Sequence, residues 1–316
     1  MNSNSYSTNF TKTRGRVAWA FYDWAGQAFH TLIVTFVFAT YFSQGIVGDD
    51  LRGQELWGTA ASITALIVVF LAPVIGAITD AGGRRKPWIM IFTLIAAISC
   101  ALLWWAEPNT AFILWALVWF IIAGIAFEIC QVFANAMLPD ITPSDRIGRW
   151  SGWGWAMGYA GGLISIALAL VFFVQADSPF LNLDKSNAEH IRIVGPFAAL
   201  WLLVFSIPLF LWTPDNKSKA IDLKSQIKIG FRDLFKTLKM IRSQINILKF
   251  LIARMLYTDG LTTIFVFGGI FAAGVFGMAL EEILLFVSPA ISVIKFKPLT
   301  GLKSVKNSKL SIGRKP

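Results

Sequence analysis

The chain has 316 residues, 56% of them hydrophobic, with 13 Trp, 27 Phe and a mean hydropathy of +0.63. Apolar runs of twenty residues or more exclude an ordinary soluble domain and indicate an all-α polytopic membrane protein. The net charge of +10 does not point to nucleic acid, because the basic residues fall between the apolar runs, where they set orientation and meet anionic headgroups.

Residues 1–16 form a polar tail with Lys12, Arg14 and Arg16, expected on the cytoplasmic side. No cleavable leader is evident, since the first apolar run is long enough to span. Span one is expected over 17–42, followed by an acidic loop with Asp49, Asp50 and Glu55. Span two runs over 57–79 and ends in a tight basic loop, Gly76 to Lys86, with Asp80, Gly83, Arg84 and Arg85 inside it. Span three covers 87–106, with Trp104 and Trp105 as interface anchors. Span four covers 111–137, and Pro139 and Pro143 mark the loop after it. Spans five and six cover 150–174 and 193–212. A basic linker, 214–246, divides two halves, and its apolar residues recur at helical spacing, as expected of an amphipathic helix on the inner surface. Span seven covers 247–276. This layout puts 17 basic residues inside and three outside, which supports a cytoplasmic amino terminus. Cys100 and Cys130 lie within apolar runs and form neither a disulfide framework nor a metal-ligand cluster. No metal or other cofactor is implied.

Ionisable side chains deep in a bilayer are costly, so their positions are informative. They occur in spans one, four and seven. Asp23, Gln27 and His30 fall within about 60° of arc at roughly 100° per residue, as do Glu128, Gln131 and Asn135. Span seven carries Arg254, Tyr257 and Asp259. Two polar stripes and a charged third helix call for one shared wet interior. Arg254 is the natural electrostatic partner for Glu128 or Asp23, and Asp23, His30, Glu128 and Asp259 are proton-relay candidates. For each the alternative is structural: Asp23 as an orienting group, His30 as a packing residue. Arg254 and Asp259 stand about 140° apart on a regular helix, so both face one cavity only if Gly260 disturbs it. Gly154, Gly158, Gly161 and Gly162 in span five are spaced for close helix packing.

The order Gly76-x-x-x-Asp80-x-x-Gly83-Arg84-Arg85-Lys86 resembles the loop signature of the major facilitator superfamily, with Ala81 as its one departure. Tyr22-Asp23-Trp24-Ala25, Asn135 to Asp140, Ser151 to Trp155 with Gly158 to Gly162, and Arg254 to Gly260 resemble the branch named for the autophagy-related vacuolar amino-acid effluxer, which has many bacterial members. The resemblance covers about 17–286. It implies a carrier of two six-helix halves, with a central cavity built from the first, fourth, seventh and tenth helices and the loop from Gly76 to Lys86 gating conformational change. It further implies transport of a small polar solute, with amino-acid efflux and a coupling proton as its finer forms. The host membrane would be a bacterial inner membrane, or a vacuolar membrane in a eukaryote. The glycines of span five are similar to the superfamily's antiporter motif but lack its proline.

Beyond about Val287 the resemblance ends. The expected organisation is a tail (1–16), a six-helix half (17–213), the linker (214–246), span seven with a stub of helix eight (247–294), and an atypical basic tail (295–316). That pattern reads as a carrier truncated after the start of helix eight, with a genuine seven-helix protein as the alternative. Against transport stands a membrane module that assembles with another membrane protein. An enzyme is disfavoured, because no nucleophile elbow or phosphate loop occurs in its required context.

Overall fold

The computed structural model describes residues 13–175, 183–216 and 222–276, and all elements among them are helical. Six helical stretches are long and apolar enough to cross a bilayer: α1 (Thr13–Val47), α2 (Asp50–Gly82), α3 (Lys86–Trp105), α4 (Thr110–Ile141), α5 (Ser144–Val174) and α6 (Glu189–Trp212). They correspond to spans one to six, in an integral multi-pass membrane protein. α7 (Leu223–Ser243) is the linker helix, and α8 (Ile245–Phe276) occupies span seven. The chain divides into two compact units, Met1–Leu238 and Lys239–Pro316. The expected stub of helix eight and the basic tail lie outside the described residues.

α1 is not regular. Its turns widen over Phe29–Thr35 and Phe42–Val47, with a bend between them at 36–37. Thr31, Ile33, Val34, Thr35 and Val37 crowd the helix with branched side chains. The Thr31 hydroxyl also donates to the Gln27 carbonyl (2.9 Å), a back-bond that bends helices. Inside a bilayer a displaced carbonyl needs another donor; the Trp57 indole donates to the Val34 carbonyl at 3.2 Å.

Packing within the first unit forms two apolar clusters. One joins Phe38, Phe42, Trp57, Leu103 and Phe120, with the Trp57 and Phe120 rings stacked at 3.9 Å. The other, nearer the basic loop, joins Trp19, Tyr22, Ile89, Ile129, Phe133 and Leu209. Lipid tails are as apolar as these side chains, so close packing and interhelical hydrogen bonds hold the helices together. The Trp19 indole donates to the Ala134 carbonyl at 2.6 Å, and the Tyr22 hydroxyl pairs with that of Thr93 at 2.7 Å, both buried.

Several expected boundaries differ from those observed: α1 extends beyond 17–42 at both ends and α5 begins before residue 150, and three further ends have identifiable causes. α2 starts at Asp50, so Asp50 and Glu55 are helical; the Asp49 carboxylate caps the helix by accepting from the Arg52 amide (3.0 Å). Gly76 and Asp80 lie on α2, which continues to Gly82, so the loop shrinks to residues 83–85. α4 runs through Pro139 to Ile141. A proline in the last turn costs one hydrogen bond, whereas Pro143 forces Thr142 into an extended conformation (φ −133°, ψ 135°) and ends the helix.

Candidate functional site

The polar residues of α1 meet α4 and α5. Asp23 and Gln27 are half-buried. The Gln131 side chain of α4 reaches the same face of α1: a Cβ on Gly26 would stand 3.4 Å from its Nε2. A Cβ on Gly154 of α5 would stand 2.5 Å from Asp23 Oδ2, and one on Gly162 would stand 2.7 Å from Gln27 Cγ. At Gly161 it would meet the Trp24 carbonyl at 2.7 Å, while at Gly158 it would make ordinary contact with Asp23 Cβ at 3.5 Å. Further along, the hydroxyls of Thr31 and Ser165 stand 3.3 Å apart. The glycine face of α5 therefore lies directly on the polar face of α1, and three of its four glycines have no room for a side chain.

On α4, Glu128 and Asn135 are exposed and Gln131 is half-buried, with the Gln131 side chain reaching toward α1. His30 lies in the first wide-turned stretch of α1. Its ring is packed edge-on against Phe127 at 4.8 Å and Phe29 at 5.6 Å. It thus sits among aromatic rings rather than with Asp23 and Gln27. Phe127 also fills the space beside Gly26, where a Cβ would collide with its ring.

Arg254, Tyr257 and Asp259 lie exposed on α8, in the second unit. α8 is helical through Gly260, so no local distortion brings Arg254 and Asp259 to one side. Asp23, Gln27 and Gln131 are brought together within the first unit. The residues of α8 belong to the other unit and are described with it.

A second constellation sits at the basic end of the bundle. Gly83, with φ 86°, makes the turn after α2 and donates its amide to the Thr79 carbonyl at 2.8 Å, a conformation that glycine adopts at little cost. This turn leads into Arg85, whose guanidinium bridges the carboxylates of Asp80 (2.9 Å) and Asp140 at the end of α4. Burial pushes the Arg85 pKa down, but the hydrogen bonds and charges of Asp80 and Asp140 outweigh it and hold the guanidinium above its ordinary range. No side chain of its own sequence caps α3. Instead Asp215, just beyond α6, accepts from the amides of Arg85 and Lys86, at 3.0 Å each. The Lys86 ammonium donates to the Phe210 carbonyl at 2.9 Å, and Asn216 donates to Asp140 at 2.9 Å. One cluster thus joins α2, α3, α4 and the chain leaving α6.

Sequence reading missed Asp140, Asp215 and Asn216 as members of this cluster. The signal was available: Arg84, Arg85 and Lys86 need counter-charges, and Asp140 and Asp215 are carboxylates at span ends on the same side of the layout.

Residues 59–294 match the family described as vacuole effluxer Atg22 like. The chain is 26% identical over 288 residues to the uncharacterized MFS-type transporter YxiO of Bacillus subtilis (strain 168), a match covering 90% of this chain and 65% of that protein. It is 25% identical over 205 residues to autophagy-related protein 22 of Yarrowia lipolytica (strain CLIB 122 / E 150), covering 57% of this chain and 33% of that protein. The chain therefore spans less than two thirds of the length of either relative. With its all-helical membrane fold and the match over most of its length, the chain belongs to the Atg22-like effluxer family of the major facilitator superfamily.

Proposed function

We propose that this chain forms the solute-binding half of a secondary carrier that moves a small polar solute by alternating access. The observation that carries this reading is the convergence of Asp23 and Gln27 of α1 with Gln131 of α4, with Glu128 and Asn135 about one turn to either side of Gln131 on that helix. Placing a carboxyl within a membrane-spanning helix is costly, so its presence points to a solute or an ion that it serves. Asp23 and Glu128 are the groups that would bind a cationic moiety or carry a coupling proton. Gln27, Gln131 and Asn135 would supply neutral hydrogen bonds, and Arg254 the complementary cation. Tyr257 and Asp259 would belong to the same path, and His30 would act through packing.

The Arg85 cluster would be the gate. It ties α2, α3, α4 and the end of α6 at one membrane face, so opening that face would require its ion pairs to part or to move as one body. The named relatives, an MFS-type transporter and an autophagy-related protein, favour transport; amino-acid efflux, with the amino terminus in the cytoplasm, is its finest form.

The test is counterflow of radiolabelled amino acids into proteoliposomes of the purified chain. Uptake should exceed that of empty vesicles and fall at least about tenfold in Asp23→Asn and Glu128→Gln, which remove charge with little change of shape. Unchanged uptake in both variants would remove the site. No uptake of any amino acid, with the protein correctly folded, would favour a module that assembles with another membrane protein.

A further inference from the structure

α7, whose residues up to Leu238 belong to the first unit, is strongly amphipathic, and its three faces differ. Gly230 is buried: a Cβ there would stand 2.9 Å from the Ala77 carbonyl carbon and from the Ile78 amide nitrogen of α2. One turn earlier, Gln226 lies against Gly82, where a Cβ would meet its Oε1 at 2.5 Å. The helix is therefore docked along the end of α2, beside the loop that carries exposed Arg84. Centred about 100° round from Gly230 runs a stripe of exposed apolar side chains, Ile227, Phe231 and Phe235. About 80° further lies a parallel stripe of exposed cations, Lys224, Lys228, Arg232 and Lys236. Two carboxylates stand nearby: Asp233, paired with Arg232 at 3.2 Å and with Lys236 at 4.0 Å, and Asp222, which accepts from the Ser225 amide at 3.1 Å at the start of the helix.

We propose that α7 is an anionic-lipid site: it lies in the plane of the headgroups, with Ile227, Phe231 and Phe235 among the upper acyl carbons and the basic stripe on lipid phosphates. Three observations converge on this occupant. The helix is fixed at the end of a membrane-spanning helix, where a bilayer surface must pass. Its apolar stripe is uncovered by the first unit and adjoins the docked face. Four cations against two carboxylates, flanking exposed aromatic residues, match an anionic interface rather than a neutral one. Lysine and arginine stems suit this position because they cover apolar surface while the heads stay at phosphate level. The proposal does not depend on transport.

The test places a bimane label at Phe235→Cys or, as a control, at Asp233→Cys, which points about 200° away from the apolar stripe. The native cysteines Cys100 and Cys130 are buried, and the parent chain gives the labelling background. The full-length protein is placed in nanodiscs of phosphatidylcholine alone or with about 30% phosphatidylglycerol, and aqueous iodide quenching is measured. Quenching at 235 should be about threefold lower in the anionic discs, with partial reversal by salt, while 233 stays fully quenched in both. A quadruple Gln variant of Lys224, Lys228, Arg232 and Lys236 should lose the difference between lipids. Equal quenching at 235 in the two lipids, whether high or low, overturns the proposal, as does shielding at 233 equal to that at 235.

Discussion

Gly154 and Asp23 are packed so tightly that a methyl group on the glycine would stand 2.5 Å from the aspartate oxygen and 3.2 Å from the Trp19 ring. The aspartate oxygen would have to swing aside, and Trp19 cannot yield easily, since it is buried with its indole bonded to the Ala134 carbonyl. Gly154→Ala should therefore push α5 away from α1 and destabilise the fold by about 1–3 kcal/mol, the usual range for overpacking. Gly152, on the same helix, has nothing within 4 Å of its would-be Cβ. Gly152→Ala should be neutral or stabilising by up to about 1 kcal/mol, because alanine is the better helix former. Thermal unfolding in mild detergent separates the two variants. Equal shifts would mean that the contact with Asp23 does not govern the α1–α5 approach.

Asp215 does for α3 what a local capping residue normally does. An anion at a helix amino terminus satisfies free amides and complements the helix dipole, and here it arrives from the far end of α6. Asp215→Ala should cost about 0.5–2 kcal/mol, and Asp215→Asn less, since the amide oxygen still accepts. Hydrogen exchange of the Arg85 and Lys86 amides should rise in the alanine variant. Exchange that stays as slow as in the parent would show another group capping the helix.

The number and order of helices were legible because each apolar run is long and bounded by charge. Ends were harder where two signals compete. Pro139 and Pro143 both look like stops, yet only the second is preceded by a residue forced out of the helix. The Asp80 end was read a few residues early because a basic cluster suggests a loop, while the turn needs only Gly83 with its positive φ. At the candidate site, helical spacing grouped His30 with Asp23 and Gln27. Regular spacing fails once α1 widens at Phe29, and His30 turns to Phe127. The partners of Arg85 were harder to assign: the layout put Asp140 and Asp215 on the right side of the membrane, but they lie 55 and 130 residues away, and only packing pairs them with this arginine.

α7 carries its own pH dependence. Asp222 accepts from the Ser225 amide at 3.1 Å, and its pKa is lowered chiefly by its Ser225 hydrogen bonds. A carboxylate depressed in the folded state contributes stability that is fully present above its unfolded value, about 3.9, and is lost as pH falls through the depressed value. The Ser225 amide resonance should therefore hold steady from neutral pH down to about pH 4 and move only below it. A midpoint at or above the ordinary carboxylate value would contradict the cap. Asp222→Ala should remove the transition.

Arg85 faces two carboxylates, and the strength of each pair follows from its exposure. The Arg85 side chain is 14% exposed, against 62% for Asp80 and 40% for Asp140. An exposed pair contributes about 0–1 kcal/mol, so Asp80, open to solvent, should couple weakly. Asp140 is better shielded and is also held by Asn216. A double-mutant cycle of Arg85→Gln with Asp140→Asn should give a coupling in the upper part of the range for networked neighbours, about 0.5–3 kcal/mol, and the cycle with Asp80→Asn a smaller one. Arg85→Lys should recover one pair at most, since a single ammonium cannot reproduce the guanidinium fork that reaches both acids. If the cluster is also the gate, Arg85→Gln should shift cysteine accessibility at this membrane face, whereas a merely stabilising cluster would lower the unfolding temperature and leave accessibility in the folded state unchanged.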